Sequence, residues 1–152
     1  MQDVVITIKG QQHTDDWENF DGPIELITPG KLRTHPGGYA LTYNETRLTG
    51  MDGTETTLNV EPKRVTLTRT GGVFSQMIFE QGLRHLSYCD HGNYGLPAFA
   101  GGAEGAVVGV NACKVKTSFD GQGGAIDVEY ALDIENRLSG HSKMEIEFRR
   151  VH

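Results

Sequence analysis

The amino-acid sequence predicts an all-β protein, a single antiparallel β-barrel of roughly eight to ten strands. Three observations support this class. Apolar and polar residues alternate with the period of two that is typical of strands. Turn-forming residues, including many of the 20 glycines, separate these segments at short intervals. No segment carries an apolar stripe of helical period, which argues against a βαβ architecture.

The first predicted strands combine alternation with clear boundaries. Apolar side chains occupy every second position in residues 4–9 and again in residues 39–44. Between them, residues 24–28 and 31–35 are two strand pieces separated by Pro29-Gly30. At this dipeptide we expect the strand to bend or bulge.

The middle of the chain predicts four short strands and one longer one. These strands are residues 55–60, 65–70, 75–80, 83–91 and 105–119. They are separated by turn-forming sequences, namely Met51-Asp52-Gly53, Glu61-Pro62-Lys63, Gly71-Gly72 and Asp120-Gly121-Gln122-Gly123-Gly124. Their consecutive order and even spacing are typical of hairpins.

The last two strands show the alternation most clearly. From residue 126 to residue 135 the even positions are apolar, and the odd positions are acidic except for Ala131. Apolar and charged residues alternate again over residues 144–149, and the polar segment 136–142 predicts the turn between them. These two strands therefore form a predicted hairpin with one solvated face.

We favour a barrel because closure removes the exposed edges that an open sheet would offer for aggregation. A β-sandwich is the competing fold. A length of 152 residues fits a single domain spanning residues 1–152, with one core.

Charge and hydropathy exclude several classes of partner. The formal net charge is −6 and the basic residues are scattered, so we expect no nucleic-acid partner. No window approaches the roughly 20 apolar residues that cross a bilayer, and the N-terminus lacks the pattern of a signal peptide. With only two cysteines, Cys89 and Cys113, we expect reduced thiols and a cytoplasmic protein without a membrane partner.

One segment contains residues that could bind a metal. If the segment is extended, His85, Cys89 and His91 lie on one face, and thiolate and imidazole groups suit zinc. The sequence has no paired CxxC and no HExxH motif, so these residues are weak candidates. We therefore predict no cofactor and no catalytic residue.

Polar side chains on apolar strand faces are the better candidates for a binding site. The predicted ligand-binding residues are Tyr39, Tyr43, Arg69, Tyr88 and Tyr130. The tyrosines would supply contact area, and Arg69 would anchor a carboxylate or phosphate. The alternative role for Arg69 is a structural salt bridge with Glu45 or Glu80.

Several segments, in order, carry a resemblance to a known family. They are residues 4–8, 38–45, 56–58, 65–71, 77–82, 88, 94–95 and 126–132. Together they resemble the YwiB-like family of small bacterial, calycin-like β-barrels, whose function is unknown. The resemblance implies a lipocalin-like or calycin-like β-barrel in the cytoplasm, and it brings no activity, catalytic residue or cofactor with it.

The leading functional hypothesis is a non-enzymatic protein that binds one small, partly apolar molecule inside the barrel. The first alternative is a protein-interaction module with a filled core, which would use its acidic outer strand faces or residues 92–105. The second is a metal- or thiol-dependent enzyme centred on Cys89 and His91. A homo-oligomer is compatible with all three hypotheses.

Overall fold

The computed structural model describes residues 1–13, 21–45, 53–71, 75–89, 106–134 and 137–151. Within these ranges the chain forms ten strands and no helix. The strands are β1 (Gln2–His13), β2 (Asp21–His35), β3 (Gly38–Asn44), β4 (Thr54–Glu61), β5 (Arg64–Gly71), β6 (Ser75–Glu80), β7 (Arg84–Cys89), β8 (Ala106–Phe119), β9 (Gly123–Ile134) and β10 (Arg137–Arg150).

Each strand pairs antiparallel with the next one in the chain, and β10 pairs with β1 to close the barrel. Because β1 is hydrogen-bonded to both β2 and β10, the strands form one closed sheet. The predicted all-β barrel is confirmed, and the β-sandwich is not the fold of this chain.

The inward face of the barrel is packed with apolar side chains. Alternate residues of each strand point inward, so the period of two in the sequence becomes a continuous core. Its largest fully buried members include Phe79, Phe148, Ile6, Leu41 and Leu132. Most of the barrel interior is therefore filled by the protein itself.

The predicted interruption at Pro29-Gly30 is wrong. Strand β2 runs without a break from Asp21 to His35, and Gly30 pairs with Val4 of β1. A Cβ atom on Gly30 would lie 2.8 Å from the carbonyl oxygen of Thr42 and closer still to the side chain of Ile6. The glycine is needed because atoms of neighbouring strands occupy the space of a Cβ, and the register with β1 continues through it without a bulge.

The predicted turn over residues 136–142 is also wrong for most of its length. Strand β10 begins at Arg137, which pairs with Ile134 of β9, so only residues 135–136 join the two strands. Gly140 and Ser142 are buried inside the barrel. Small and polar inward residues hide the alternation that would have marked this part of the strand.

An ion pair links three strands on the outer surface. Arg84 of β7 donates two hydrogen bonds to Asp133 of β9, at 3.0 and 2.7 Å, and Asn111 of β8 donates a third at 3.1 Å. Gly109 lies beneath this pair, and a Cβ atom there would be 2.5 Å from the Asp133 carboxylate. The bidentate geometry ties β7, β8 and β9 together where the sheet curves.

The last residue of β2, His35, is a histidine whose two ring nitrogens both face oxygen atoms. Nδ1 of His35 is 3.0 Å from the carbonyl oxygen of Pro36, and Nε2 is 2.8 Å from Oδ1 of Asn59. Only a protonated imidazole can donate from both nitrogens. These two contacts, of which the one with Pro36 has the larger effect, therefore raise the pKa of His35 above 6.5.

The contribution of His35 to stability should depend on pH. A group whose pKa is raised in the folded state contributes its full stabilisation at pH values below its unfolded pKa. This contribution is lost as the pH rises through its pKa in the folded state. We expect His35→Gln to lower the thermal midpoint more at about pH 5 than at about pH 8. His141→Gln, at an exposed position of β10, is the control. An equal effect of His35→Gln at both pH values would contradict the assignment.

The close approach at Gly30 predicts a marked loss of stability on substitution. We expect Gly30→Ala to lower the free energy of unfolding by about 1–3 kcal/mol, because the neighbouring strands must move apart. Gly10→Ala is the matched control, since no atom lies within 4 Å of the position of its Cβ. Urea denaturation of both variants tests the interpretation, and equal losses would argue against it.

Candidate functional site

The two ends of the barrel are defined by the direction of the strands. The β2–β3, β4–β5, β6–β7 and β8–β9 connections have two or three residues each, at what we call the turn end. Strands β1, β3, β5, β7 and β9 finish at the opposite end, which we call the polar end. The predicted turns 51–52 and 72, and the predicted interaction segment 92–105, lie outside the described residues.

Aromatic rings close the interior at the turn end. The ring of Tyr39 lies 5.1 Å from that of Phe119 and 5.2 Å from that of Phe148, measured between centroids. Val60 and Val65 are buried beside them. This end of the barrel is therefore packed with large apolar groups.

Small polar side chains line the interior at the polar end. The buried members of this set are Glu45, Thr54, Thr56, Ser75, Ser87 and Ser142. They come from strands β4, β6, β7 and β10 and from the residue that follows β3. Their position on the inward face makes this end chemically distinct from the rest of the core.

Strand register brings several of these residues into one row. Tyr43 pairs with Thr56, Thr56 with Arg69, and Arg69 with Ser75. The backbone of Ser75 pairs in turn with that of Cys89. Because paired residues are neighbours on the same sheet face, a phenol, a guanidinium and two hydroxyl groups lie side by side across four strands.

A buried carboxylate organises part of this row. Thr56 donates a hydrogen bond of 2.6 Å to Oε1 of Glu45, and Nε of Arg69 lies 3.9 Å from the same oxygen. Burial, and then the negative charge of Glu45, raises the pKa of Tyr43 well above its ordinary value of 10. The Tyr43 phenol is therefore neutral and can serve as a hydrogen-bond donor.

Three other hydroxyl groups at this end have no such partner. Oγ1 of Thr54 and the Oγ atoms of Ser75 and Ser87 are buried and have no hydrogen-bond partner in the structure as described. A buried hydroxyl without a partner destabilises a folded protein by about 1–3 kcal/mol. The burial of such groups is accounted for if a water, an ion or a bound molecule hydrogen-bonds to them.

A surface recess of about 490 Å³ adjoins this polar cluster. The recess is lined by Asn44, Glu45, Gly53, Thr54, Glu55, Thr70 and Gly71. Its volume falls in the range of about 300–1,000 Å³ that small-molecule sites occupy. Asn44, Glu55 and Thr70 form an exposed row on the outer face of the sheet, so the recess meets the buried cluster at Glu45 and Thr54.

The structure brings together only part of the predicted ligand-binding set. Tyr43 and Arg69 are neighbours at the polar end, whereas Tyr39 lies at the turn end, where burial raises its pKa to about 12. Tyr130 is half-buried, with its ring 4.6 Å from that of Phe79. The backbone of Tyr88 pairs with Val107, but its side chain lies outside the described part of the structure.

The predicted metal candidates are only partly described. Nε2 of His85 lies 2.9 Å from Oε1 of Glu80. Of the two acidic residues predicted as partners of Arg69, Glu45 lies 3.9 Å from it. The side chain of Cys89 and the whole of His91 lie outside the described residues. Among the described residues, no three histidine, cysteine or acidic side chains cluster as a metal site.

Sequence reasoning missed the buried hydroxyl groups. Thr54 and Thr56 precede Leu58 and Val60 at every second position, so the same alternation places them on the inward face. Ser75 stands in the same relation to Met77. Extending the alternation beyond the apolar residues would have identified these positions.

These features define a class: a ten-stranded, antiparallel, up-and-down β-barrel whose interior is apolar at one end and polar at the other. The chain belongs to the family described as a domain of unknown function, DUF1934, whose model matches residues 6–146. The family prediction made from the sequence is thereby confirmed.

A solved structure shares this fold. The crystal structure of the ywiB protein from Bacillus subtilis superposes with a TM-score of 0.79 at 16% identity, covering 99% of this chain and 93% of that one. At this identity the likeness shows the fold alone. No curated protein matches the sequence. No helix in the described ranges is long and apolar enough to span a membrane.

Thr54 and Thr56 offer a direct test of the unpartnered hydroxyls, because both are buried on the same face of β4. We expect Thr54→Val to raise the free energy of unfolding by about 1 kcal/mol, since it removes a buried polar group that has no partner. Thr56→Val should lower it by about 1.5–3 kcal/mol, because the bond to the Glu45 carboxylate is lost. Guanidinium denaturation measures both values. Equal destabilisation by the two changes would refute the distinction.

Proposed function

We propose that this protein binds a small, partly apolar molecule at the polar end of its barrel. The supporting observations are three buried hydroxyl groups, at Thr54, Ser75 and Ser87, that have no hydrogen-bond partner in the described part of the chain, and a recess of suitable size that reaches Thr54. The mouths of β-barrels are common positions for such sites. A calycin-like role as a carrier or sensor of small molecules fits this arrangement.

The partly apolar character of the ligand follows from the layer beneath the polar row. Leu41, Leu58, Leu67 and Met77 form the next row in register across β3, β4, β5 and β6. All four are buried and none of them lines the recess, so they form an apolar floor only for a molecule that enters the barrel interior beyond Thr54. Such a pocket fixes orientation with its polar groups and gains contact area from its apolar floor.

The outer surface gives less support to a protein-interaction module. Several acidic residues of the outer strand faces are already paired: Asp127 with Lys114 at 2.9 Å, Asp133 with Arg84 at 2.7 Å, and Glu145 with Lys143 at 3.0 Å. These contacts neutralise the three carboxylates locally, while the formal net charge of the chain stays at −6. Small-molecule binding is therefore the proposal that the observations favour.

We also propose that the protein acts in the cytoplasm. Cys113 is exposed and unpaired on β8, next to a register shift in its pairing with β9. An exposed free thiol suits a reducing compartment, where it is not oxidised to a disulfide.

Native mass spectrometry of the protein, purified without added ligand, tests the proposed binding. We expect a reproducible organic mass above that of the chain, which disappears on denaturation and is lost in the double variant Thr54→Val/Ser75→Ala. Thr66→Val is the control, because Thr66 occupies an outward position of β5 between Val65 and Leu67. A bare chain mass for both the wild-type protein and the control would overturn the proposal.

A further inference from the structure

We infer that the outer face of β2, β1 and β10 binds a second copy of this chain, so that the protein forms a two-fold symmetric dimer. This outer surface, which we call the β1 face, has exposed apolar side chains at its centre and charges of opposite sign toward its two ends. It lies outside the barrel interior, so the dimer goes beyond the proposed binding site and does not depend on it.

The centre of the β1 face is apolar and exposed. Ile27 of β2 is 64% exposed and Val5 of β1 is 41% exposed. Val5 pairs with Pro29, which is also exposed, and Ile27 pairs with Thr7 in the next outward row. Isolated apolar side chains are common on protein surfaces, whereas neighbouring ones that form a patch are typical of interaction sites.

The charges of the β1 face are arranged about one level of the barrel. At this level Ile6 of β1 pairs with Thr28 of β2 and with Phe148 of β10, and all three side chains are buried. Outward residues lie at odd distances along the chain from this level, because successive side chains of a strand point to opposite faces. Outward positions at equal distances on either side of the level can therefore be compared directly.

On each of the three strands, two such positions carry opposite charges and are exposed. The pairs are Asp3 and Lys9 on β1, Lys31 and Glu25 on β2, and Arg149 and Glu147 on β10. Within each pair, the two residues are equally far along the chain from the level of Ile6. The sign of the charge is therefore reversed across this level on all three strands.

A two-fold axis that crosses the strands at this level brings opposite charges of two copies together. The axis places β1 on β1 of the second copy with the strand direction reversed, and it does the same for β2 and β10. The residues that then face each other are Asp3 and Lys9, Lys31 and Glu25, Arg149 and Glu147, and, in the centre, Ile27 and Pro29. Each contact occurs twice, as an isologous interface requires.

Other arrangements and other partners match this pattern less well. A two-fold axis along β1 would place Asp3 on Asp3 and Lys9 on Lys9 of the second copy, and like charges in contact oppose association. A partner of a single sign would be attracted by half of the charges and repelled by the other half. Arg149 and Glu147 are available for contacts between copies, because neither takes part in an ion pair within the described ranges.

The size of the β1 face indicates a reversible dimer. From Asp3 to Lys9 the strand extends about 20 Å, and three strands about 4.8 Å apart lie side by side. A contact of this size is smaller than the interfaces of permanent dimers. We therefore expect a Kd of about 10–100 µM, with binding that weakens as the salt concentration rises.

Sedimentation velocity over a range of protein concentrations tests the dimer. At about 50 mM salt we expect the wild-type chain to shift from monomer to dimer between about 1 and 500 µM. Arg149→Glu and Glu147→Arg should each raise the Kd at least about tenfold, because each brings like charges together twice. Gln76→Glu and Gln76→Arg are the controls and should leave the Kd unchanged, since Gln76 is exposed on β6, on the opposite side of the closed sheet.

An equimolar mixture of Arg149→Glu and Glu147→Arg tests the axis itself. One variant then presents two carboxylates and the other presents two guanidinium groups at the same positions. We expect a heterodimer with a Kd within about threefold of the wild-type value. Ile27→Asn, which changes no charge, should weaken the wild-type dimer about tenfold because apolar contact is lost at the centre, and it keeps the face testable if a charge variant does not fold.

Each outcome supports or overturns the dimer. A wild-type chain that stays monomeric up to about 500 µM would overturn it. An unchanged Kd in Arg149→Glu, Glu147→Arg and Ile27→Asn would mean that another surface associates, and the β1 face would be wrong. If both charge variants are monomeric, remain folded by circular dichroism and do not associate when mixed, the pairing of Arg149 with Glu147 is wrong and so is the axis.

Discussion

The pairing of β1 with β10 is the constraint on which the rest of the structure depends. Ten registered pairs, from Val4 with Arg150 to His13 with His141, join the two ends of the chain and close the sheet. Closure assigns each strand an inside and an outside, so that one face of every strand contributes to a common interior. It also covers most strand edges against pairing with another chain, with the seam between β6 and β7 held by the single registered pair of Ser75 and Cys89.

Within that closed interior, the position along the barrel axis decides what each inward side chain does. At the turn end, the buried rings of Tyr39 and Phe148 contact the partly exposed ring of Phe119. At the polar end, Thr54 and Ser75 are buried, and their hydroxyls, like that of Tyr39, have no hydrogen-bond partner in the described chain. A barrel built for stability alone would extend the apolar packing, so these hydroxyl groups lower stability at a place where a site can form.

The sequence was sufficient for the fold because strand alternation and turn chemistry are local signals. It failed at Gly30 and at the start of β10, where the deciding factor is contact with another strand. For the site, alternation indicates which face a residue occupies but not its level along the axis, which depends on register with distant strands. Tyr43 and Tyr39 are both inward residues of β3, yet register and strand direction place them toward opposite ends of the barrel.

The ion pair of Arg69 and Glu45 lies at the polar end, next to a row of paired apolar residues. One row deeper, Leu58 and Leu67 occupy equivalent paired positions and contribute apolar burial without charge. A buried ion pair generally stabilises a fold no better than such an apolar pair, because both charges must leave water. The pair places compensating charges and a hydrogen-bonded hydroxyl at fixed positions on the inward wall. The strands therefore build an ordered polar wall directly above the apolar part of the core.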